Sequence, residues 1–216
     1  MTSKSSFPPP LALALAAMLA GSLSACVPLV LGGAAMSAMV AVDRRTSGAQ
    51  LEDEGIELRG ASRLRDAFGD RVHINITSYN RQVLLTGEVA NPATREQAEQ
   101  LISRVENVRS IVNELAVLSA TSLVQRSSDV LITGKVRASL VDAKDLYVGA
   151  FKVVTERGVV YLMGRVTSQE ADRATAIARQ IPDVRRVVRI FDVLGDDELR
   201  RIQTQSAPTA PAISRP

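Results

Sequence analysis

The sequence predicts an α+β protein made of two copies of one small unit, each a three-stranded sheet with two helices on one face. Three observations predict it. The run Val83-Leu84-Leu85-Thr86-Gly87-Glu88-Val89 returns as Val160-Tyr161-Leu162-Met163-Gly164-Arg165-Val166, at an offset of 77 residues. After a one-residue deletion near Gln169 the offset becomes 76, and Ala98, Leu101, Val105, Val108 and Val112 match Ala174, Ile177, Ile181, Val184 and Val188. Within each copy the apolar spacing alternates between helical and strand periods in the order helix, strand, strand, helix, strand. The copies fill Gln50–Leu118 and Ser127–Leu194, joined by a Ser/Thr-rich linker at Ser119–Arg126.

The second copy reads most clearly. Ser127, Ser128 or Asp129 is placed to cap a helix running to about Val141. A strand is expected over Val148–Thr155, with Phe151 and Val153 on one face, then a turn at Glu156-Arg157-Gly158 and a strand over Val159–Val166. Thr167 or Ser168 caps the next helix, with Glu170 in its first turn and Ala171, Ala174, Ile177, Ala178 and Ile181 at helical spacing. Pro182-Asp183 ends it, and Val184–Val193 is the last strand. The first copy follows with strands at Val72–Ser78, Val83–Val89 and Val108–Val117 and a helix at Thr94–Val105. Upstream, Ile56 and Leu64 match Ile132 and Leu140 of the first helix. Each unit buries one modest core between helices and sheet.

The N-terminus is of another kind. Lys4, three prolines, the apolar run Leu11–Leu19 and small residues up to Ala25 describe an export signal. Leu23-Ser24-Ala25-Cys26 resembles the bacterial lipobox, which implies cleavage before Cys26, a diacylglycerol on its sulfur and an acyl chain on its amine. Cys26 is the only cysteine, so it forms no internal disulfide. The apolar stretch Val27–Val42 contains Pro28, Gly32 and Gly33 and is slightly short for a bilayer, so residues 26–49 read as a flexible or interfacial tether rather than a span. At the other end, Leu199–Ile202 extends a short helix, and the Ser/Thr/Ala/Pro-rich Gln203–Pro216 reads as a disordered tail.

Composition excludes several functions. The formal net charge is +3, and Lys4 leaves with the signal, so no concentrated basic patch is expected. There is no Trp, and four Phe with three Tyr leave little to stack on bases, which excludes a nucleic-acid binder. His73 is the only histidine. In an alternating strand it reads as solvent-exposed, and no second His or free Cys accompanies it, so neither a metal site nor a nucleophile–base pair is expected. Glu52-Asp53-Glu54 and Asp196-Asp197-Glu198 read as solvated ends and caps, and Gly32-Gly33 lacks the Lys-Ser/Thr of a phosphate loop. Gly87 and Gly164, at one place in the repeat, are expected to permit close helix–sheet packing or a bulge.

Gly87-Glu88-Val89 followed by Val108-Arg109-Ser110-Ile111-Val112-Asn113, and Gly164-Arg165-Val166 followed by Val184-Arg185-Arg186-Val187-Val188, resemble the BON-domain pattern. Asp43-Arg44-Arg45-Thr46-Ser47-Gly48, His73-Ile74-Asn75-Ile76-Thr77-Ser78-Tyr79 and Ile132-Thr133-Gly134-Lys135-Val136-Arg137 are similar to segments of the lipid-anchored, dual-BON outer-membrane lipoproteins. The likeness spans Cys26–Leu194 and omits the tail from Gly195. It implies a non-enzymatic periplasmic protein held in the inner leaflet of the outer membrane. It also implies that the first helix of the second unit binds anionic phospholipid of the phosphatidylglycerol type, in support of envelope integrity and division-site function. Val27 after the lipidated Cys suits outer-membrane sorting.

The residues single out that helix independently. At 100° per residue, Ile132, Val136 and Leu140 form one face and match Ile56, Gly60 and Leu64 of the first unit, so they are expected in the core. Leu131, Gly134, Ala138 and Val141 form a second apolar face, flanked by Lys135, that the first unit replaces with Gly55, Leu58, Ser62 and Arg65. Leu131, Gly134, Lys135, Ala138 and Val141 are therefore the expected lipid-binding residues. The family's best-known member carries Trp where this chain has Leu131. The alternatives are packing between the two units, or a protein-interaction adaptor that docks outer-membrane assembly or peptidoglycan-remodelling factors through the same face.

Overall fold

The computed structural model describes residues 43–119 and 121–206, with side chains to residue 202. Cys26, the expected signal peptide and most of the expected tether lie outside these residues, as does the end of the expected tail. The first domain runs α1 (Ser47–Phe68), β1 (His73–Tyr79), β2 (Gln82–Val89), α2 (Pro92–Ser103), β3 (Ser110–Asn113) and β4 (Ala116–Val117). The second runs α3 (Leu123–Asp142), β5 (Phe151–Glu156), β6 (Val159–Val166), α4 (Ser168–Arg179) and β7 (Arg186–Val193), followed by α5 (Asp196–Ser206).

In both sheets the central strand is antiparallel to its hairpin partner and parallel to the strand returning from the second helix, giving the orders β1-β2-β3 and β5-β6-β7. β4 also pairs with β2. The expected single strand over Val108–Val117 is thus two pieces. Asn113 accepts the Leu115 amide at 3.2 Å and turns the chain there, which drives Leu115 into the core.

Sequence patterns account for the ends. Thr46, Asn91, Ser122 and Thr167 each accept an amide one turn in and start α1, α2, α3 and α4. Thr167 and Glu170 complete a reciprocal capping box. Because Ser122 accepts the Gln125 amide at 3.2 Å, α3 begins at Leu123, inside the expected linker. Val148–Ala150 forms a 3-10 turn rather than strand, closed by the Ala150 amide on the Tyr147 carbonyl at 2.9 Å. Gln203–Ser206 continue α5 instead of opening a disordered tail, and the acids Asp196, Asp197 and Glu198 occupy that helix's first turn.

Each domain has its own core. In the first, Ile56, Leu64, Phe68, Val83, Leu85, Ala98 and Ile102 interlock, and in the second Ile132, Val136, Leu140, Val153, Val160, Leu162, Ala174 and Ala178 do so. A fully buried side chain of this size contributes about 1.5–3 kcal/mol. The helices lie on one face of each sheet, as expected. The other faces are not left to water. Tyr79 and Leu84 of the first sheet pack on Tyr161, Met163 and Ile190 of the second, with Val112, Val154, Val159 and Val188 around them. This second layer explains why β2 is buried at every position from Val83 to Val89.

Gly87 and Gly164 serve the sheets rather than the helices. A Cβ on Gly87, whose φ is +113°, would lie 2.0 Å from the His73 carbonyl oxygen, and one on Gly164 would lie 2.4 Å from that of Ala150. The absent side chain lets the neighbouring chain approach.

Candidate functional site

The helix α3 divides as its periodicity requires. Ile132, Val136 and Leu140 are at most 2% exposed, whereas Leu131 is 65% and Val141 49% exposed, with Gly134, Lys135 and Ala138 also on the outside. The five expected residues therefore share one open face. The sheets pack the two domains together, and Val130 and Gly134 at the margin of this face line a cavity shared with His73 and Asn75 of the first domain.

Starting α3 at Leu123 lengthens the face beyond the sequence expectation. Leu123 and Val124 are each 79% exposed and Val130 is 71% exposed. At 1.5 Å per residue, Leu123 to Val141 spans about 27 Å. Leu123, Val130, Gly134, Ala138 and Val141 project within a narrow arc, with Leu131 and Val124 at one side. Cationic residues flank it, with Arg126 and Arg137 along one border and Lys135 on the other. Lys135 lies 3.9 Å from Asp183, and both are largely exposed, so the pair holds the ammonium only loosely. The counterpart helix α1 exposes Leu51 and Leu58, with Glu54, Arg59, Ser62 and Arg65 also exposed around them. Among the described residues, no helix is long and apolar enough to cross a membrane.

Two buried aspartates set the hairpins of both domains. Asp53, only 2% exposed, accepts the Asn80 and Arg81 amides at 2.8 and 2.7 Å, the Ser78 hydroxyl at 2.6 Å and an Arg45 guanidinium N–H at 2.7 Å. Asp129 accepts the Arg157 and Gly158 amides, each at 2.8 Å. In both turns the two central residues have positive φ, Asn80 and Arg81 in one and Arg157 and Gly158 in the other. Burial pushes the Asp53 carboxyl up, but the bonds from Ser78, Arg81, Arg45 and Asn80 outweigh it and hold it below the ordinary range. The reading of Glu52-Asp53-Glu54 as a solvated run fails at Asp53. The overlooked signal is the repeat itself, since Asp53 and Asp129 stand 76 residues apart on otherwise apolar faces.

The segment before α1 straps the domains together. Arg44, 5% exposed, places its guanidinium 2.6 and 2.7 Å from the two Glu170 oxygens, donates to the Arg165 carbonyl at 3.1 Å and lies over the Tyr147 ring. Burial raises Glu170, and the bonds from Arg44 and Thr167 lower it further than burial raises it. Arg45 stacks 4.2 Å from the Tyr79 ring centroid and binds Asp43 and Asp53. Further bonds cross the seam. Lys152 pairs with Glu57 at 2.8 Å, Arg186 with Glu114 at 2.7 Å, and the Asn80 amide group donates to Asp192 at 2.8 Å.

His73 departs from its expected exposure. Its side chain is 25% exposed, and its Nδ1 lies 3.0 Å from Oε2 of Glu88, directly opposite it in the sheet register. Glu156 of the second domain faces the same point. Burial and the neighbouring Glu88 raise the Glu156 carboxyl, against a lowering contribution from His73. His73 and Glu156 line a cavity of about 440 Å³ that also reaches Arg126, Val130, Gly134 and Arg137 of α3.

Comparison with known proteins gives the context. The BON-domain family profile matches residues 53–119 and 128–195. The chain is 36% identical to "Outer membrane lipoprotein DolP" of Haemophilus influenzae, covering 80% of this chain and 90% of that protein. It is 33% identical to the "21 kDa hemolysin" of Actinobacillus pleuropneumoniae, over 70% of this chain and 79% of the relative. A further likeness, to "Osmotically-inducible protein Y" of Escherichia coli, is 32% identical over 53% of this chain and 58% of that one.

Proposed function

The chain belongs to the BON-domain family, and on that footing we propose that it is a lipid-anchored, non-enzymatic protein of the outer membrane's periplasmic face that binds anionic phospholipid through α3. The observation that carries this is the apolar face of Leu123, Val124, Val130, Leu131 and Val141, interrupted by Ser127 and open to solvent on a helix whose other face is fully buried. A face of this kind with basic borders is the physical form of an interfacial helix, whose apolar side sinks into the acyl boundary while its cations meet phosphate. The name of the Haemophilus relative, an outer membrane lipoprotein, supports the location. The lipobox-like Cys26 supports a covalent anchor, with thioether-linked diacylglycerol and an amine-linked acyl chain as the lipid it carries.

The two attachments have different tasks. Acyl chains contribute about 0.8 kcal/mol per buried CH₂ and hold the protein at the membrane. The α3 face then selects lipid, with each basic residue adding about 1 kcal/mol toward an anionic surface. Support for envelope integrity and division-site function would follow from concentrating the protein where anionic lipid gathers.

Vesicle flotation with purified, unlipidated residues 43–216 tests the reading. Binding to vesicles containing phosphatidylglycerol that weakens with salt, and none to zwitterionic vesicles, is the expected result. Absence of binding to both would leave the anchor alone to place the protein and turn the α3 face into a docking surface for an envelope protein.

A further inference from the structure

We propose that His73, Glu88 and Glu156 form a divalent transition-metal site of the zinc class at the seam between the two BON domains. The three side chains bring one imidazole nitrogen and two carboxylate oxygens within 4.8 Å of one another. That donor set suits zinc and its first-row neighbours, and three protein ligands leave a position for water or a small anion. Bond lengths of about 2.0–2.1 Å place neighbouring ligand atoms of a tetrahedral site about 3.3 Å apart. The His73 Nδ1 to Glu88 Oε2 distance of 3.0 Å is close to that already.

The fold, not the sequence spacing, assembles the site. His73 and Glu88 are opposite each other on β1 and β2, and both project from the sheet face that meets the second domain. Glu156 ends β5 and enters from the other side. Outer partners hold both carboxylates in place. The Thr121 amide and hydroxyl donate to Glu88 at 3.3 and 3.1 Å, and the Asn75 amide group donates to Glu156 at 3.2 Å. Such supports fix ligand orientation in metal centres.

Burial supplies the independent argument. Glu88 is 2% and Glu156 9% exposed, although carboxylates buried side by side repel and lose their hydration. The side chains around them that can carry positive charge include His73 and, lining the adjoining cavities, Arg126 and Arg137. A dication at their centre balances both carboxylates, and the cavity beside His73 and Glu156 gives it a path from solvent. Since the ligands come from both domains, the ion would bolt the two sheets together next to α3.

The test is equilibrium dialysis of the full chain, purified in detergent and stripped with chelator, against zinc chloride. One zinc per chain is expected, with affinity lowered at least tenfold in Glu156→Gln and in Glu88→Gln, each checked for native near-ultraviolet dichroism. Because His73 is the only histidine, its imidazole NMR signals report the site without ambiguity. They should shift in step with the first equivalent of zinc in the unmutated chain, a reading that does not depend on any variant folding. Wild-type protein that retains no more zinc than Glu156→Gln overturns the site, as does zinc bound with His73 signals unmoved.

Discussion

Arg44 and Glu170 close a two-bond ion pair, 2.6 and 2.7 Å long, across 126 positions of sequence. Arg44 precedes the first domain, and Glu170 opens the second helix of the second domain. The segment before α1 therefore grips the second domain, the one whose α3 faces outward.

Breaking this pair leaves a carboxylate without its main partner, since the two side chains are only 4% and 12% exposed. Arg44→Met should lower stability by about 3 kcal/mol in urea unfolding. The Arg44→Met, Glu170→Gln double variant should recover part of the loss, because the orphan charge is gone. Equal losses in the single and double variants would show that the contact is packing rather than charge.

Asp53 makes stability depend on acid. Its folded-state carboxyl titrates below the usual aspartate value, so its contribution is full above the unfolded value near 3.8 and is lost as pH falls through the lower folded one. Unfolding free energies measured from pH 6 downward should fall below pH 4. Asp53→Asn should be less stable at pH 6, by about 1.5–3 kcal/mol for lost charge-assisted bonds, and should show a shallower acid slope.

Two glycines should behave oppositely. Gly87→Ala forces a Cβ against the His73 carbonyl at a positive φ, and should cost on the order of 3 kcal/mol. Gly134 sits in the middle of α3, and a Cβ there meets nothing within 4 Å. Gly134→Ala should stabilise the protein by about 0.5–1 kcal/mol, seen as a raised Tm, because the helix loses its most flexible residue.

The repeat, the element order and the two faces of α3 were legible because they rest on local periodicity. Ile132, Val136 and Leu140 fell on the core side and Leu131 and Val141 on the outside for the same reason. The packing of sheet on sheet was not legible. Thr86, Glu88 and Asn75 are polar, and a polar residue in an alternating strand reads as facing water whether it faces solvent or a second domain. The grouping of His73, Glu88 and Glu156 was hidden for a related reason, since strand register and domain packing unite residues that no motif connects. The early start of α3 was missed because Leu123 and Val124 lie in a stretch whose Ser and Thr content reads as linker. Ser122 was in fact its cap.

The chain contains no Trp, so a single one placed on α3 reports its surroundings alone. Leu131→Trp emission, recorded with phosphatidylglycerol vesicles added to unlipidated residues 43–216, reads whether α3 enters the lipid. The expected result is a blue shift that salt reverses, none with zwitterionic vesicles, and none from Leu58→Trp on the counterpart helix α1. An unshifted Leu131→Trp signal under conditions where the protein floats with the vesicles would contradict binding through α3, because the membrane would then be held by another surface.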